Sequence, residues 1–280
     1  MPLDLYALFE AGGRNPMKRL LATILACSLP AGAALAQPGQ TDRIPTPAGD
    51  LEITPFVHSS VQVAFAGKVV HVDPWSVADL GQARPADLVL ITDDVAHHLD
   101  VRALRQVRKP GAPVIIPASG KPQVPDGIIL PNGEQTVAAD IRVESIAAYD
   151  ILPGEPAHPK GEANGYVITI GGQRLLFAGV TECVDEVKAL KNIDVAFMPL
   201  NIPPGRMTPA AAAACVKEVK PKVVYVYHYD QDWAARAANP RAASRPLPGG
   251  LTVPQTLDAF RRELSGTNID VRIRDWYPKP

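Results

Sequence analysis

An α/β fold of two β-sheets covered by helices is predicted by three features of this 280-residue sequence. Apolar runs of strand length recur along it, helical stretches are few, and 29 Pro with 21 Gly break the chain into many elements joined by tight turns. At 46% hydrophobic and 20% charged, the chain has material for a large core and does not read as disordered. Its 28 Lys and Arg are balanced by 29 Asp and Glu, which argues against a nucleic-acid binder working through a generally basic surface. With 3 Cys, a disulfide scaffold and a Cys-rich zinc module are both excluded.

In chain order, residues 17–36 come first as a recognisable unit. Two basic residues, an apolar run, Pro30 and then Ala34-Leu35-Ala36 give the three-part layout of a secretory signal. The run is too short to span a bilayer. Residues 1–16 carry Asp4 and Glu10 and lack a basic character, so Met17 is the expected start and 1–36 the expected signal region. A periplasmic or secreted product follows, with no stable membrane insertion once the signal is removed. A lipoprotein processed at Cys27 is the alternative. Residues 37–50 are polar and rich in Pro and Gly, which reads as a linker before a domain at 51–280.

Within the domain, apolar runs at 51–57, 61–65, 69–72, 88–92, 114–117, 141–147, 166–170, 175–178, 195–199 and 223–227 predict strands. Gly171-Gly172 between two of them is a hairpin signal, because both positions can take positive φ. Helical spacing appears at 99–108 and 181–190. Thr208-Pro209 before five Ala supplies an N-cap, a Pro at the first helical position and a strong helix former, and Pro221 ends that helix. A Pro-rich connection at 239–254, long enough for a rim or lid, precedes a helix at 255–264 and a strand at 269–273. Cys183 and Cys215 are expected as two buried thiols, with a disulfide as the alternative in an oxidising compartment.

The candidate chemistry lies in the histidines. Of the 6 His, four follow apolar runs at strand ends or in loops, where side chains can be aimed into a common pocket. Residues 93–100, Asp-Asp-Val-Ala-His-His-Leu-Asp, hold three carboxylates and two imidazoles between a strand and a helix. Acidic residues favoured by a helix dipole beside two solvated His would explain the same segment without function.

That segment, with HSS at 58–60, VDPW at 72–75, AHPKGEANGYVITIGG at 157–172, FAGVTE at 177–182 and VYHYD at 226–230, resembles the metallo-β-lactamase-fold hydrolases. It is most similar to the branch containing the ascorbate-6-phosphate lactonase and the N-acyl-phosphatidylethanolamine phospholipase D, over 51–230. The resemblance implies a four-layered αββα sandwich. Laid on the family signature H-x-H-x-D-H, Asp93 and Val95 stand where two His are usual, His97 replaces the Asp, and His98 is unchanged. His158 and His228 match two further His ligands, and Val180 stands where a carboxylate bridges two metals.

A valine has no lone pair, so Val95 and Val180 leave room for one tightly held cation at most. The expectation is a mononuclear zinc site among His97, His98, His158 and His228, with Asp93 or His97 handling the proton. The implied reaction is hydrolysis of a small ester, lactone or phosphodiester. The competing reading is a lapsed enzyme whose hydrogen-bonded pocket binds a ligand or partner protein. Asp73 is read either as a support for the metal loop or as an acidic turn residue, and Asp100 as a helix cap. Glu182 and Cys183 are candidate substitutes for the missing bridge, and Tyr227, Tyr229 and Trp233 are packing or a pocket mouth.

Overall fold

The computed structural model describes residues 40–154 and 156–278, so the expected signal, with Met17 and Cys27, lies outside the described residues. Two seven-stranded sheets are built from the same plan. In the first, β1 (Asp42–Thr46), β2 (Gly49–Val57), β3 (Ser60–Phe65) and β4 (Lys68–Val72) form an antiparallel meander. From β4 the sheet continues in parallel through β5 (Leu88–Leu90), β6 (Val114–Ile116) and β7 (Ile128–Ile129). Helix α1 (Val101–Val107) makes the crossover between β5 and β6.

The second sheet repeats the pattern. Strands β8 (Gln135–Ala138), β9 (Ile141–Ala148), β10 (Ala163–Ile170) and β11 (Gln173–Phe177) are antiparallel. Then β12 (Val195–Pro199), β13 (Val223–Tyr227) and β14 (Asp270–Arg272) follow in parallel. Their connections carry α2 (Asp185–Lys188), α3 (Pro209–Val219), α4 (Gln231–Ala238) and α5 (Val253–Glu263).

Strand periodicity explains the layers, since alternate side chains face opposite sides of a sheet. Leu51, Ile53, Val61, Val63, Val70, Val72, Leu88 and Leu90 turn toward the second sheet and join its core. Val89, Ile91, Val114 and Ile116 turn the other way and pack on Ala103, Leu104 and Val107 of α1. The second sheet is covered outside by α3 and α5 through Ala212, Val216, Val219 and Phe260. Phe177, Phe197 and Tyr225, in register on β11, β12 and β13, stack at 4.7 and 4.9 Å between ring centroids. The four-layered sandwich is the observed fold.

Several expectations are corrected. Residues 42–50, read as linker, form β1 and the start of β2. Pro45 is tolerated there because β1 is an edge strand. The helix expected at 181–190 is only Asp185–Lys188. The last helix begins two residues earlier than read, because a Thr252–Gln255 capping box places Pro254 in the first turn, where no intrahelical N–H is needed. Cys183 and Cys215 are joined as a disulfide, tying the segment before α2 to α3. The hairpin expected at Gly171-Gly172 is present, with φ of 58° and 73°.

Candidate metal centre

Three strands end in the same unusual way. His58, Asp73 and His228 directly follow β2, β4 and β13, and each is a non-glycine residue with left-handed φ, at 57°, 44° and 55°. Such a conformation costs on the order of 1 kcal/mol per residue and persists only where the surroundings enforce it. Here it kinks each chain at the rim of a sheet. The three side chains are buried, at 0–2% exposure.

His97 and His98 arrive from the loop after β5. A turn closed by the N–H groups of His98 and Leu99 on the carbonyl of Val95 (2.9 and 2.8 Å) lets consecutive residues both reach the site. The result is a group of four imidazoles, His58, His97, His98 and His228, each bringing a ring nitrogen within 4.8 Å of the others. Ring centroids lie 3.8 Å apart for His58 and His228, 4.8 Å for His97 and His98 and 5.0 Å for His98 and His228.

Orientation is imposed from behind. The carboxylate of Asp73 accepts from the main chain and hydroxyl of Thr92 at 2.8 and 2.6 Å, and from Nδ1 of His98 at 2.7 Å. Asp73 is therefore a supporting group, which fixes the His98 proton on Nδ1 and turns the Nε2 lone pair inward. That Nε2 stands 3.1 Å from Nε2 of His228. On its other side, His228 meets the Gln231 amide, 2.5 Å from Nδ1 and 2.7 Å from the carbonyl oxygen.

Burial holds His58, His97 and His228 neutral. His58 and His228 lie well below the ordinary imidazole value, through desolvation first and then repulsion from the neighbouring imidazoles. Desolvation and the adjacent His98 take His97 down to about 3. Neutral imidazole is the form that ligates.

The arrangement fits a divalent cation. Two nitrogens each about 2.0–2.1 Å from one zinc at tetrahedral angles stand about 3.3–3.4 Å apart, close to the Nε2 separation of His98 and His228. Nε2 of His58, a ring that belongs to this group, is buried and without a hydrogen-bond partner.

The remaining expected site residues are arranged differently. His158 is not in the four-imidazole group; its Nε2 lies 3.3 Å from the Asp93 carboxylate, and its main-chain N–H donates to Asp150 at 2.8 Å. Asp150 in turn pairs with Arg206. Burial alone would raise the Asp93 carboxyl, but the His158 hydrogen bond and the charges of His98 and His158 bring it down to about 2. Val95 is exposed and Val180 buried in the core. Neither candidate substitute for the bridging carboxylate is free: Glu182 accepts from the N–H groups of Ile151 and Leu152 at 2.6 and 2.7 Å, and Cys183 is in the disulfide. Asp100 caps α1 through Arg102 and Ala103. Tyr227 accepts from the Gly179 N–H, Tyr229 donates to Arg274, and Trp233 packs on Trp75 and Tyr277.

Sequence reasoning did not select His58 as a site residue. The HSS motif that His58 opens carries no spacing to the other imidazoles, and its positive φ is invisible in the sequence.

A family model described as a beta-lactamase superfamily domain matches residues 52–228, from β2 to the last imidazole of the group. A UPF0173 metal-dependent hydrolase of Symbiobacterium thermophilum is 37% identical over 101 residues, 31% of this chain; the match spans only 45% of that relative's length. A UPF0173 metal-dependent hydrolase of Caldivirga maquilingensis is 24% identical over 189 residues, 62% of this chain and 79% of its own. Among solved structures, a provisionally assigned metal-dependent hydrolase from Parabacteroides distasonis ATCC 8503 is similar at a TM-score of 0.72 and 31% identity, covering 85% of this chain and 100% of that one.

Proposed function

Since the chain belongs to the metallo-β-lactamase-fold superfamily of metal-dependent hydrolases, we propose that it cleaves a small ester, lactone or phosphodiester with a single zinc ion held by His97, His98 and His228. The observation that carries this reading is the Nε2 pair of His98 and His228 at 3.1 Å, with His98 fixed from behind by Asp73. A cation held there would activate water near neutral pH and polarise a carbonyl or phosphoryl oxygen.

The protein's own groups divide the remaining work. Asp73 and Thr92 keep His98 in one tautomer. Asp93, ionised down to a pH of about 2, is too weak a base to take a proton efficiently at neutral pH, so it holds His158 in place instead. To hold a cation through Nε2, His228 would carry its proton on Nδ1, where the Gln231 amide could accept it through its oxygen. Gln231 also lines a cavity of about 410 Å³ together with Pro203, Pro204, Arg206, Arg245 and Leu247. We assign this cavity to the substrate. Apolar walls with the exposed guanidinium of Arg245, Arg206 being paired with Asp150, suit an organic group that bears a negative charge.

We also place the mature protein in the periplasm or outside the cell. The Cys183–Cys215 disulfide supports an oxidising compartment, in line with the signal read at 1–36. Metal analysis of purified protein tests the central claim. One equivalent of zinc retained by the wild type and lost in His98→Ala and His228→Ala is expected. A folded wild type that stays metal-free in excess zinc would leave a ligand-binding pocket without hydrolysis.

A further inference from the structure

Building on the metal site just described, we propose that His58 is not a fourth ligand but a hydrogen-bond donor, its Nε2–H aimed at a negatively charged oxygen of the substrate lying among the other three imidazoles. The argument starts at the carboxy-terminal end of the described chain. The hydroxyl of Tyr277 stands 2.7 Å from Nδ1 of His58, 219 residues away in sequence. The same hydroxyl accepts the N–H of Asp230 at 3.1 Å. Burial holds Tyr277 well above the ordinary phenol value, so it keeps its proton.

Tyr277 is half-buried, but its hydroxyl is packed on the fully buried His58, and a hydroxyl left unpaired away from water costs about 1–3 kcal/mol, so that proton needs an acceptor. Among the described residues, Nδ1 of His58 is the acceptor within reach. Tyr277 therefore donates, Nδ1 of His58 accepts, and the neutral ring carries its own proton on Nε2. Nε2 of His58 is buried and has no partner. A buried N–H with no acceptor of its own, on a ring whose centroid lies 3.8, 5.0 and 5.8 Å from those of His228, His97 and His98, is suited to meet an oxygen bound among them.

His228 is not constrained in the same way. Its Nδ1 faces an amide, which carries a donor and an acceptor on one carbon and exchanges them by a half-turn, at the loss of the bond to the His228 carbonyl. A phenol has one hydrogen, and Asp230 already occupies its accepting side. His58 therefore keeps its tautomer when a cation is present, whereas His228 can change. In the reaction, the His58 N–H would donate to the carbonyl or phosphoryl oxygen as charge builds on it, and no proton is transferred. Tyr277 is then a positioning residue acting through His58.

Long-range ¹H–¹⁵N spectra of the full-length, metal-free protein labelled at histidine read the tautomer directly. The His58 signals are assigned by their loss in His58→Gln and, independently, by their change in Tyr277→Phe. A proton on Nε2, shifting toward a mixture in Tyr277→Phe, is expected; a proton on Nδ1 overturns the proposal. Acetate and inorganic phosphate, as carboxylate and phosphoryl probes, should move the Nε2–H signal, and an indifferent signal overturns the donor role. In zinc-loaded samples, His58→Gln should retain the metal within about twofold of wild type, whereas loss equal to that of His98→Ala makes His58 a ligand. A wild type that takes up no zinc defeats the metal reading alone, because the metal-free spectra still decide the role of His58.

Discussion

The main-chain N–H of His228 donates to the carbonyl oxygen of His58 at 3.0 Å, clasping the end of β13 in one sheet to the end of β2 in the other. The clasp joins two residues that both hold left-handed φ. Side-chain removal at these positions therefore has two separable effects. His228→Gly and His228→Ala should both abolish zinc retention. Glycine pays no Cβ penalty at this φ, so His228→Gly should be more stable than His228→Ala by about 1 kcal/mol in urea denaturation. Equal stabilities would mean that the kink stores no strain.

Asp73 offers a test of the support behind the site. Asp73→Asn keeps the shape but replaces a carboxylate that accepts from His98 and Thr92. Outer partners of this kind contribute about 10- to 100-fold to metal affinity. Competition with a chelator should show zinc affinity lowered by that amount while the far-ultraviolet spectrum is retained. Unchanged affinity would show that His98 needs no orienting partner.

Much of the fold was legible because strand periodicity is a local property. The runs at 51–57, 61–65, 195–199 and 223–227 became strands β2, β3, β12 and β13 with small changes of boundary. What escaped was weakly patterned. Strand β1 contains Pro45 and lies at a sheet edge, β7 is the exposed pair Ile128–Ile129, and the two turns of α4 have Trp233 as their one large apolar residue among alanines and polar groups. In the site, His98 and His228 stood in motifs of fixed order. His58 and Tyr277 meet across 219 residues, and only the finished fold brings them together.

The disulfide gives a stability prediction that is independent of the metal. Cys183 and Cys215 are 32 residues apart, and the chain-entropy estimate for closing a loop of that length is about 3–4 kcal/mol. Reduction under native conditions, or Cys215→Ala, should lower the urea midpoint correspondingly. Cys183 lies near Glu182, which holds Ile151 and Leu152, so the loop carrying Asp150 and His158 should loosen first in hydrogen exchange. Uniform exchange on reduction would argue that the bond staples only α2 to α3.

Arg245 lines the cavity beside Gln231, and its charge reaches His97. If the cavity takes an anionic substituent, Arg245→Ala should raise KM for a carboxylate-bearing ester about five- to tenfold, the equivalent of roughly 1 kcal/mol. The kcat, and both constants for a neutral ester of the same size, should stay near wild type. An equal loss for both esters would instead assign Arg245 to the structure of the 239–254 connection.

The imidazole group makes the metal-free protein sensitive to acid. His58, His97 and His228 bind protons less readily in the folded state than in the unfolded chain, where the ordinary value is 6.5. Above that pH both states are neutral and nothing is lost. Below it the unfolded chain takes up protons that the fold excludes, so stability falls with decreasing pH by up to about 1.4 kcal/mol per unit for each ring. For His97 the decline continues to a pH of about 3. Asp93 adds a loss of the opposite electrostatic origin, beginning as pH drops toward the unfolded value of 3.8 and complete below about 2. Urea titrations of the metal-free protein should therefore show a falling midpoint from pH 6.5 downward. The slope should be reduced in His97→Gln, which removes one excluded proton, and a flat profile between pH 6.5 and 4.5 would show that the rings are solvated when no cation is bound.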